Sequence, residues 1–240
     1  MFVIPMAGMS SRFFSAGYTE PKYKLDAHGQ SLFAHSVCSF SAYFDTDPFL
    51  FIVRDQFDTP AFVETEAKRL GIRDYQLVIL NQPTGGQAET VALGLDGLTD
   101  EPLYIFNIDT FRPNYRKPGF CDQADGYLET FIGSGKNWSN IEPQAPGSDR
   151  VIRTAEKQEI SEFCCTGLYH WASAELYRHY YQEYSQFETD RLDAGELYIA
   201  PIYNLAIRDA KDIRYSVIDP EEVIFCGTPD EYQAVLKQTP

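Results

Sequence analysis

Phe2-Val3-Ile4-Pro5-Met6-Ala7-Gly8-Met9-Ser10-Ser11-Arg12-Phe13 opens the chain, and Ala16-Gly17-Tyr18-Thr19-Glu20-Pro21-Lys22-Tyr23 follows within a few residues. The apolar run 2–5 has the length and composition of a buried strand, and the small residues after it break the pattern into a loop. A strand that empties into such a loop leaves backbone N–H groups at its carboxyl end, where open α/β sheets hold ligands. Small side chains at Ala7, Gly8, Ser10 and Ser11 let a phosphate approach the backbone, with Met9 the one bulky residue among them. Arg12 adds a planar fork and Lys22 a point charge. Neither GxGxxG nor the P-loop spacing is present, so this loop belongs to another class.

Outward from that loop, short β-rich runs at 49–53, 76–80 and 103–108 alternate with helical stretches at 31–44, 60–70 and 87–95. That order predicts βαβ units and an α/β fold with a mostly parallel central sheet and helices on both faces. Residues 111–150 are rich in Pro, Gly, Asn and Asp and poor in periodicity, which predicts a lobe of short strands and loops. Beyond it the pattern predicts a strand at 162–171 and a helix to 184 with Ser173 as N-cap. A helical stretch at 197–210 with Pro201 in its first turn, strands at 214–218 and 223–225, and a closing helix at 229–236 complete the reading. No internal repeat interrupts it, and one compact domain is expected.

The 240 residues are 44% hydrophobic and 23% charged, the balance of a packed globular enzyme. A net charge of −15 opposes any broad grip on nucleic acid or on an anionic membrane surface. An anionic ligand must therefore be met by a few local cations and amides, helped by a divalent ion. Five cysteines, at 38, 121, 164, 165 and 226, form no CxxC pair; reduced thiols in a cytoplasmic protein are the reading. The opening apolar run lacks a basic flank and meets Pro5, so it is neither a signal peptide nor a membrane span. His28, His35, His170 and His179 lack metal-site spacing and read as structural or surface residues.

With Gly8, Arg12 and Pro21-Lys22 in place, the opening resembles that of the nucleotidyltransferases, or nucleotide pyrophosphorylases, which join an NTP to a sugar phosphate or similar phosphate and release pyrophosphate. Met9-Ser10-Ser11 stands where the family's second glycine and Gly-Thr usually stand. The resemblance implies a Rossmann-like nucleotide-diphospho-sugar transferase fold with a small acceptor lobe, residues 1–110 holding the nucleotide and 111–240 the acceptor. It implies that Ala7, Gly8, Met9, Ser10 and Ser11 wrap the nucleotide and that Arg12, Lys22 and Asp109 are catalytic. Asp109 ends the apolar run Tyr104-Ile105-Phe106-Asn107-Ile108; as the family's metal aspartate it would hold Mg²⁺, an ion that takes one or two protein carboxylates, and otherwise it is a turn residue. Gln82, Gly86 and Gln87, in a second Gly-rich turn, become candidates for base-edge contacts because glutamine both donates and accepts; a plain turn is the other reading.

Ala155-Glu156-Lys157 and Cys165-Thr166-Gly167-Leu168-Tyr169 resemble the Glu-Lys and Thr-Gly-Leu-Tyr pair of the glucose-1-phosphate thymidylyltransferases. By that likeness Glu156 would accept from acceptor hydroxyls, Lys157 would meet the acceptor phosphate, and Thr166 and Gly167 would line its pocket. Glu196, Tyr198 and Asn204 are further acceptor candidates, from a stretch that serves equally well as core. Many relatives place a second metal aspartate just before a Gly-Thr, whereas this chain has Phe225-Cys226-Gly227-Thr228. Asp219, Glu221 or Asp230 would then substitute, or one carboxylate and the nucleotide phosphates would suffice. The partners implied are an NTP, CTP among the candidates, and a phosphorylated small molecule; a homo-oligomer is compatible with the sequence. Members of this type supply precursors for capsule and other surface glycans. Two rival readings are a glycosyltransferase of the related fold, with Asn107-Ile108-Asp109 replacing its Asp-x-Asp, and a nucleotide-binding relative without activity.

Overall fold

The computed structural model describes residues 1–187 and 195–238. Its fold is α/β, a large central sheet flanked by helices, as the alternation predicts. In chain order the sheet strands are β1 Phe2–Pro5, β2 Phe49–Arg54, β3 Tyr75–Leu80, β4 Leu103–Phe106, β5 Gly126–Ile132, β6 Ser139–Pro143, β7 Val151–Glu156, β8 Phe163–Trp171 and β9 Ile213–Ile218. The helices are α1 Ser11–Ser15, α2 Leu32–Cys38, α3 Thr59–Leu70, α4 Gln87–Gly94, α5 Ala174–Tyr184, α6 Tyr203–Arg208 and α7 Pro229–Lys237. None of these helices is long and apolar enough to cross a membrane.

The chain divides into two compact units. Residues 2–83 and 106–116, with the chain from 221 onward, form the first. In it β1, β2 and β3 run parallel, with Phe2 opposite Phe49, Pro5 opposite Ile52 and Arg54 opposite Leu80. Parallel strands covered on both faces read as unbroken apolar runs, and β1 and all but the last residue of β2 are buried. Phe2 stacks on Phe49 at 5.1 Å and lies 4.5 Å from Phe40, which meets Tyr115 edge-on at 5.2 Å. Aromatic pairs of this kind contribute about 0.5–1.5 kcal/mol each beyond their burial. The shared register brings the carboxyl ends of β1 and β2 together, so the loops after Pro5 and after Arg54 emerge side by side.

The second unit comprises residues 84–105 and 117–220 together with Met1. Here the pattern departs from a purely parallel one: β8 pairs antiparallel with β5 and β6, β7 with β6, and only β9 runs parallel to β5. The short strands expected within 111–150 are Gly126–Ile132 and Ser139–Pro143, and both belong to the main sheet. Glu129 in the middle of β5 masks the strand as polar, yet it is 2% exposed and accepts a hydrogen bond from Thr166 Oγ1 at 3.1 Å. The stretch 197–210 is helical only over Ala200–Ile202, a 3₁₀ turn, and α6. Leu197 lies outside because its N–H donates to Gly85 O and its carbonyl accepts from Ala88 N. Ser173 caps α5 as expected, accepting from Leu176 N at 3.0 Å.

His170 is structural, as its spacing suggests. It is 1% exposed, its Nδ1 lies 2.9 Å from Leu103 O, and Tyr104 stacks on it at 4.6 Å. Burial pushes its pKa down to about 4, from an ordinary value of 6.5. The unfolded chain therefore takes up a proton below about pH 6.5 that the folded chain refuses until about pH 4, and roughly 3 kcal/mol of stability drains away across that window. Urea midpoints measured from pH 7 down to pH 4 will fall more steeply for the native protein than for His170→Gln. Parallel curves would remove His170 from the acid response.

Candidate active site

The loop after β1 starts from buried Ala7 and then exposes Gly8, Met9, Ser11 and Arg12. None of the backbone N–H groups of residues 8–12 donates to another described residue. Ser10 sits in the left-handed region at φ 52°, a conformation costly for a residue with a Cβ. It is held there from both sides: its carbonyl accepts from Phe13 N at 2.9 Å, and its hydroxyl accepts from Lys22 N at 3.2 Å. That last bond ties the Pro21-Lys22 turn to the amide-bearing loop, so the two halves of the opening motif are one structure.

Lys22 Nζ donates to Asp109 Oδ2 at 2.5 Å, and both side chains are about one-fifth exposed. Asp109 reaches this position because β4 stops at Phe106, earlier than the predicted 108, and the chain turns with Thr110 N donating to Asn107 O. Thr110–Phe111 then pairs antiparallel with Ile224–Phe225, which draws the Cys226-Gly227-Thr228 turn against Asp109. Cys226 N donates to Asp109 O at 2.8 Å. A Cβ on Gly227 would lie 2.8 Å from Asp109 Oδ2, so only a residue without a side chain leaves room beside that oxygen. Thr228 and Glu231 close a capping box at the start of α7, which fixes the turn.

Cys226 occupies the place where the sequence lacks an expected carboxylate. It is fully buried, and its thiol is pushed up to about 12 by burial first and then by Asp109 and Glu231, with Lys22 opposing them. At neutral pH it is an uncharged thiol, unsuited to the role of a hard anionic ligand. Among the described residues no three acidic, histidine or cysteine side chains converge on a metal position.

The remaining predicted residues fall into distinct settings. Gln82 is exposed in the first unit, while Gly86 and Gln87 belong to the second, where the turn clasps Leu197. Lys157 donates to Tyr198 OH and lies 4.5 Å over the Tyr198 ring, from a backbone at φ 54°. Glu156 is 6% exposed and accepts from Ser139 Oγ, which lies 3.2 Å from Tyr169 OH. Glu156 and Lys157 are adjacent in the chain, and Ser139 and Tyr198 are their respective hydrogen-bond partners. Thr166 and Asn204 are occupied internally: Thr166 bonds to Glu129, and Asn204 makes a two-bond clasp on the backbone of Thr154 at 2.8 and 2.9 Å. Gly167 lies buried at φ 96°, where β8 shifts register, and Glu196 is exposed.

No protein-family model matches the sequence, and no curated protein does. Among solved structures, a nucleoside-diphosphate-sugar pyrophosphorylase from Vibrio cholerae RC9 is 53% identical, with 99% of this chain and 100% of that one covered at a TM-score of 0.96. The chain belongs to the nucleoside-diphosphate-sugar pyrophosphorylase family. Family membership makes it an enzyme of the nucleotidyltransferase kind. The fold extends to more distant members: an inositol-1-phosphate CTP transferase from T. maritima is 13% identical with a TM-score of 0.73, covering 98% of this chain and 93% of its own. A UDP-glucose pyrophosphorylase solved with UDP-glucose is 12% identical with a TM-score of 0.74, covering 98% and 96%. At those identities the likeness is one of fold.

Proposed function

We propose that this protein transfers a nucleoside monophosphate from an NTP to a phosphorylated small molecule and releases pyrophosphate. The observation that carries the reading is the 2.5 Å Lys22–Asp109 pair, hydrogen-bonded through its loop to a run of unengaged amides. In an otherwise acidic chain this is where a polyanion meets fixed donors and cations, and Arg12 adds a second charge at the exposed end of the loop.

The reaction needs no covalent enzyme intermediate. A phosphate oxygen of the acceptor attacks the α-phosphorus, the bond from that phosphorus to the bridging oxygen breaks, and pyrophosphate leaves with the electron pair. The difficulty is electrostatic, because two anions must approach in line, and catalysis consists of positioning and charge screening. Lys22 exchanges Asp109 for a phosphate oxygen, Arg12 holds the phosphates from the loop, and Lys157 meets the acceptor phosphate beside Glu156. Once Lys22 has moved to a phosphate, Asp109 Oδ2, with no side chain on Gly227 beside it, would hold a Mg²⁺ ion. When bound, Mg²⁺ would supply neutralisation of phosphate charge. Formation of an activated surface-glycan precursor is the setting that the family likeness suggests.

A matrix of NTPs against sugar phosphates and other small phosphates, with pyrophosphate release as the readout, tests this. At least one pairing should release pyrophosphate, stop on chelation and resume with added Mg²⁺. Release of a nucleoside diphosphate instead would identify a glycosyltransferase, and nucleotide binding without turnover in every pairing would identify an inactive relative.

A further inference from the structure

A strand at the edge of a sheet carries a row of unpaired backbone groups unless something covers them. Two such edges are covered here. On β7, Asn204 Oδ1 accepts from Thr154 N at 2.8 Å and its Nδ2 donates to Thr154 O at 2.9 Å. Beside β9, Tyr215 N donates to Asp149 O at 2.8 Å, and Arg150 bridges antiparallel to Arg214. Nothing comparable lies along β3, which pairs with β2 alone among the described strands.

The register shows which groups of β3 are left over. Phe49 N donates to Asp74 O, so the backbone groups of Asp74, Gln76, Val78 and Leu80 turn toward β2. Those of Tyr75, Leu77 and Ile79 turn away, and none of their N–H or C=O groups meets another described residue. Exposed edges are usually blunted by a lysine, a proline, a bulge or a short strand. β3 runs for 6 residues, Tyr75-Gln76-Leu77-Val78-Ile79-Leu80, with no charge and no proline, and it pairs with β2 without a register shift. Ile79 is 46% exposed on it.

The strand is complementary to itself. Antiparallel pairing about a twofold axis at Leu77 sets Leu77 against its own copy and Tyr75 against the partner's Ile79. Each outward N–H then finds an outward carbonyl, and no backbone group of the edge is left over. Just outside the paired residues, Arg73 falls opposite Asn81 and Asp74 opposite Leu80, so no like charges face one another. Residues 59–80, which span α3 and β3, set Glu64, Glu66 and Asp74 against Lys68, Arg69 and Arg73, and are neutral in a chain of net charge −15. Two acidic copies can therefore meet on this face with little mutual repulsion. The assembly also closes at two, because the covered edges of β7 and β9 offer nothing to a third copy.

We propose that the chain forms a twofold dimer through β3, the two sheets joining edge to edge about Leu77. Sedimentation through the micromolar range should show a native dimer. Ile79→Pro removes an outward donor and leaves the β2 ladder untouched, a place where an edge strand tolerates proline. With two hydrogen bonds lost per dimer, its dissociation constant should rise roughly 10- to 100-fold while circular dichroism stays native. Val217→Lys, at a 47% exposed position of β9, should leave the dimer intact. Cross-linking reads the register. Hydrogen-bonded antiparallel partners lie about 5.5 Å apart between Cα atoms, within disulfide reach, so Leu77→Cys should give a covalent dimer on mild oxidation, above the background of the native chain. Ile79→Cys should not, since the two copies of that position would lie roughly 13 Å apart. A monomeric native chain, a dimer indifferent to Ile79→Pro or dissolved equally by Val217→Lys, or equal cross-linking of both cysteine variants would overturn the pairing. A monomer that instead takes up an extended peptide along β3 would also overturn it, and would assign the edge to a foreign strand.

Discussion

Lys22→Ala and Asp109→Ala are each expected to lower kcat/KM for pyrophosphate release by about 10²- to 10³-fold, the loss typical of removing one preorganised charge from a site where charge develops. Folding should survive, because the pair is partly exposed at the sheet's rim and such pairs contribute about 1 kcal/mol or less. Circular dichroism and urea midpoints near those of the native protein would confirm that the defect is chemical. Lys22→Arg should recover little, since a broad planar fork does not replace a compact ammonium held 2.5 Å from a carboxylate oxygen. The double variant separates two accounts of the pair. If Lys22 and Asp109 act as one assembly, losing both costs little more than losing one; independent contributions would multiply the two defects. Turnover within threefold of native in both single variants would remove the pair from the mechanism.

How far this site is legible in the sequence depends on whether a residue's role is local. β1 is predicted and observed over the same four residues, and β2 and β3 shift by one residue at one end, because buried parallel strands are continuous apolar runs bounded by turns. Lys22 and Asp109, 87 positions apart, can be named from the motifs that contain them, but only the fold shows them paired. The antiparallel part of the sheet is harder to read. Glu129 breaks the apolar run of β5 and is compensated by Thr166, a partner 37 residues away that no window of sequence reveals. Asn204 looks like a free polar group among tyrosines and turns out to hold the Thr154 backbone.

Gly86→Ala is expected to destabilise the unit formed by residues 84–105 and 117–220 by about 3–5 kcal/mol, from two causes that act together. Gly86 has φ 154° and ψ −179°, a region that residues with a Cβ scarcely enter. A Cβ built there would lie 2.4 Å from Leu197 O and 2.7 Å from Leu197 N. Those atoms are backbone, and Leu197 is held on both sides of the turn by Gly85 O and Ala88 N, so it cannot yield without losing both hydrogen bonds. Gly85→Ala is the control: its nearest obstacle is the Glu89 carboxylate at 3.2 Å, the end of a flexible side chain, and its cost should stay below about 1 kcal/mol. The effect also reaches the site, because Leu197 immediately precedes Tyr198, the residue whose hydroxyl and ring engage Lys157. A shifted Leu197 backbone therefore releases Lys157 from its cradle, and Gly86→Ala should raise the KM for the phosphorylated acceptor under conditions where the variant is still folded. Urea unfolding and acceptor titrations on both variants decide it; equal midpoints for Gly85→Ala and Gly86→Ala would show that the turn has room that its geometry denies.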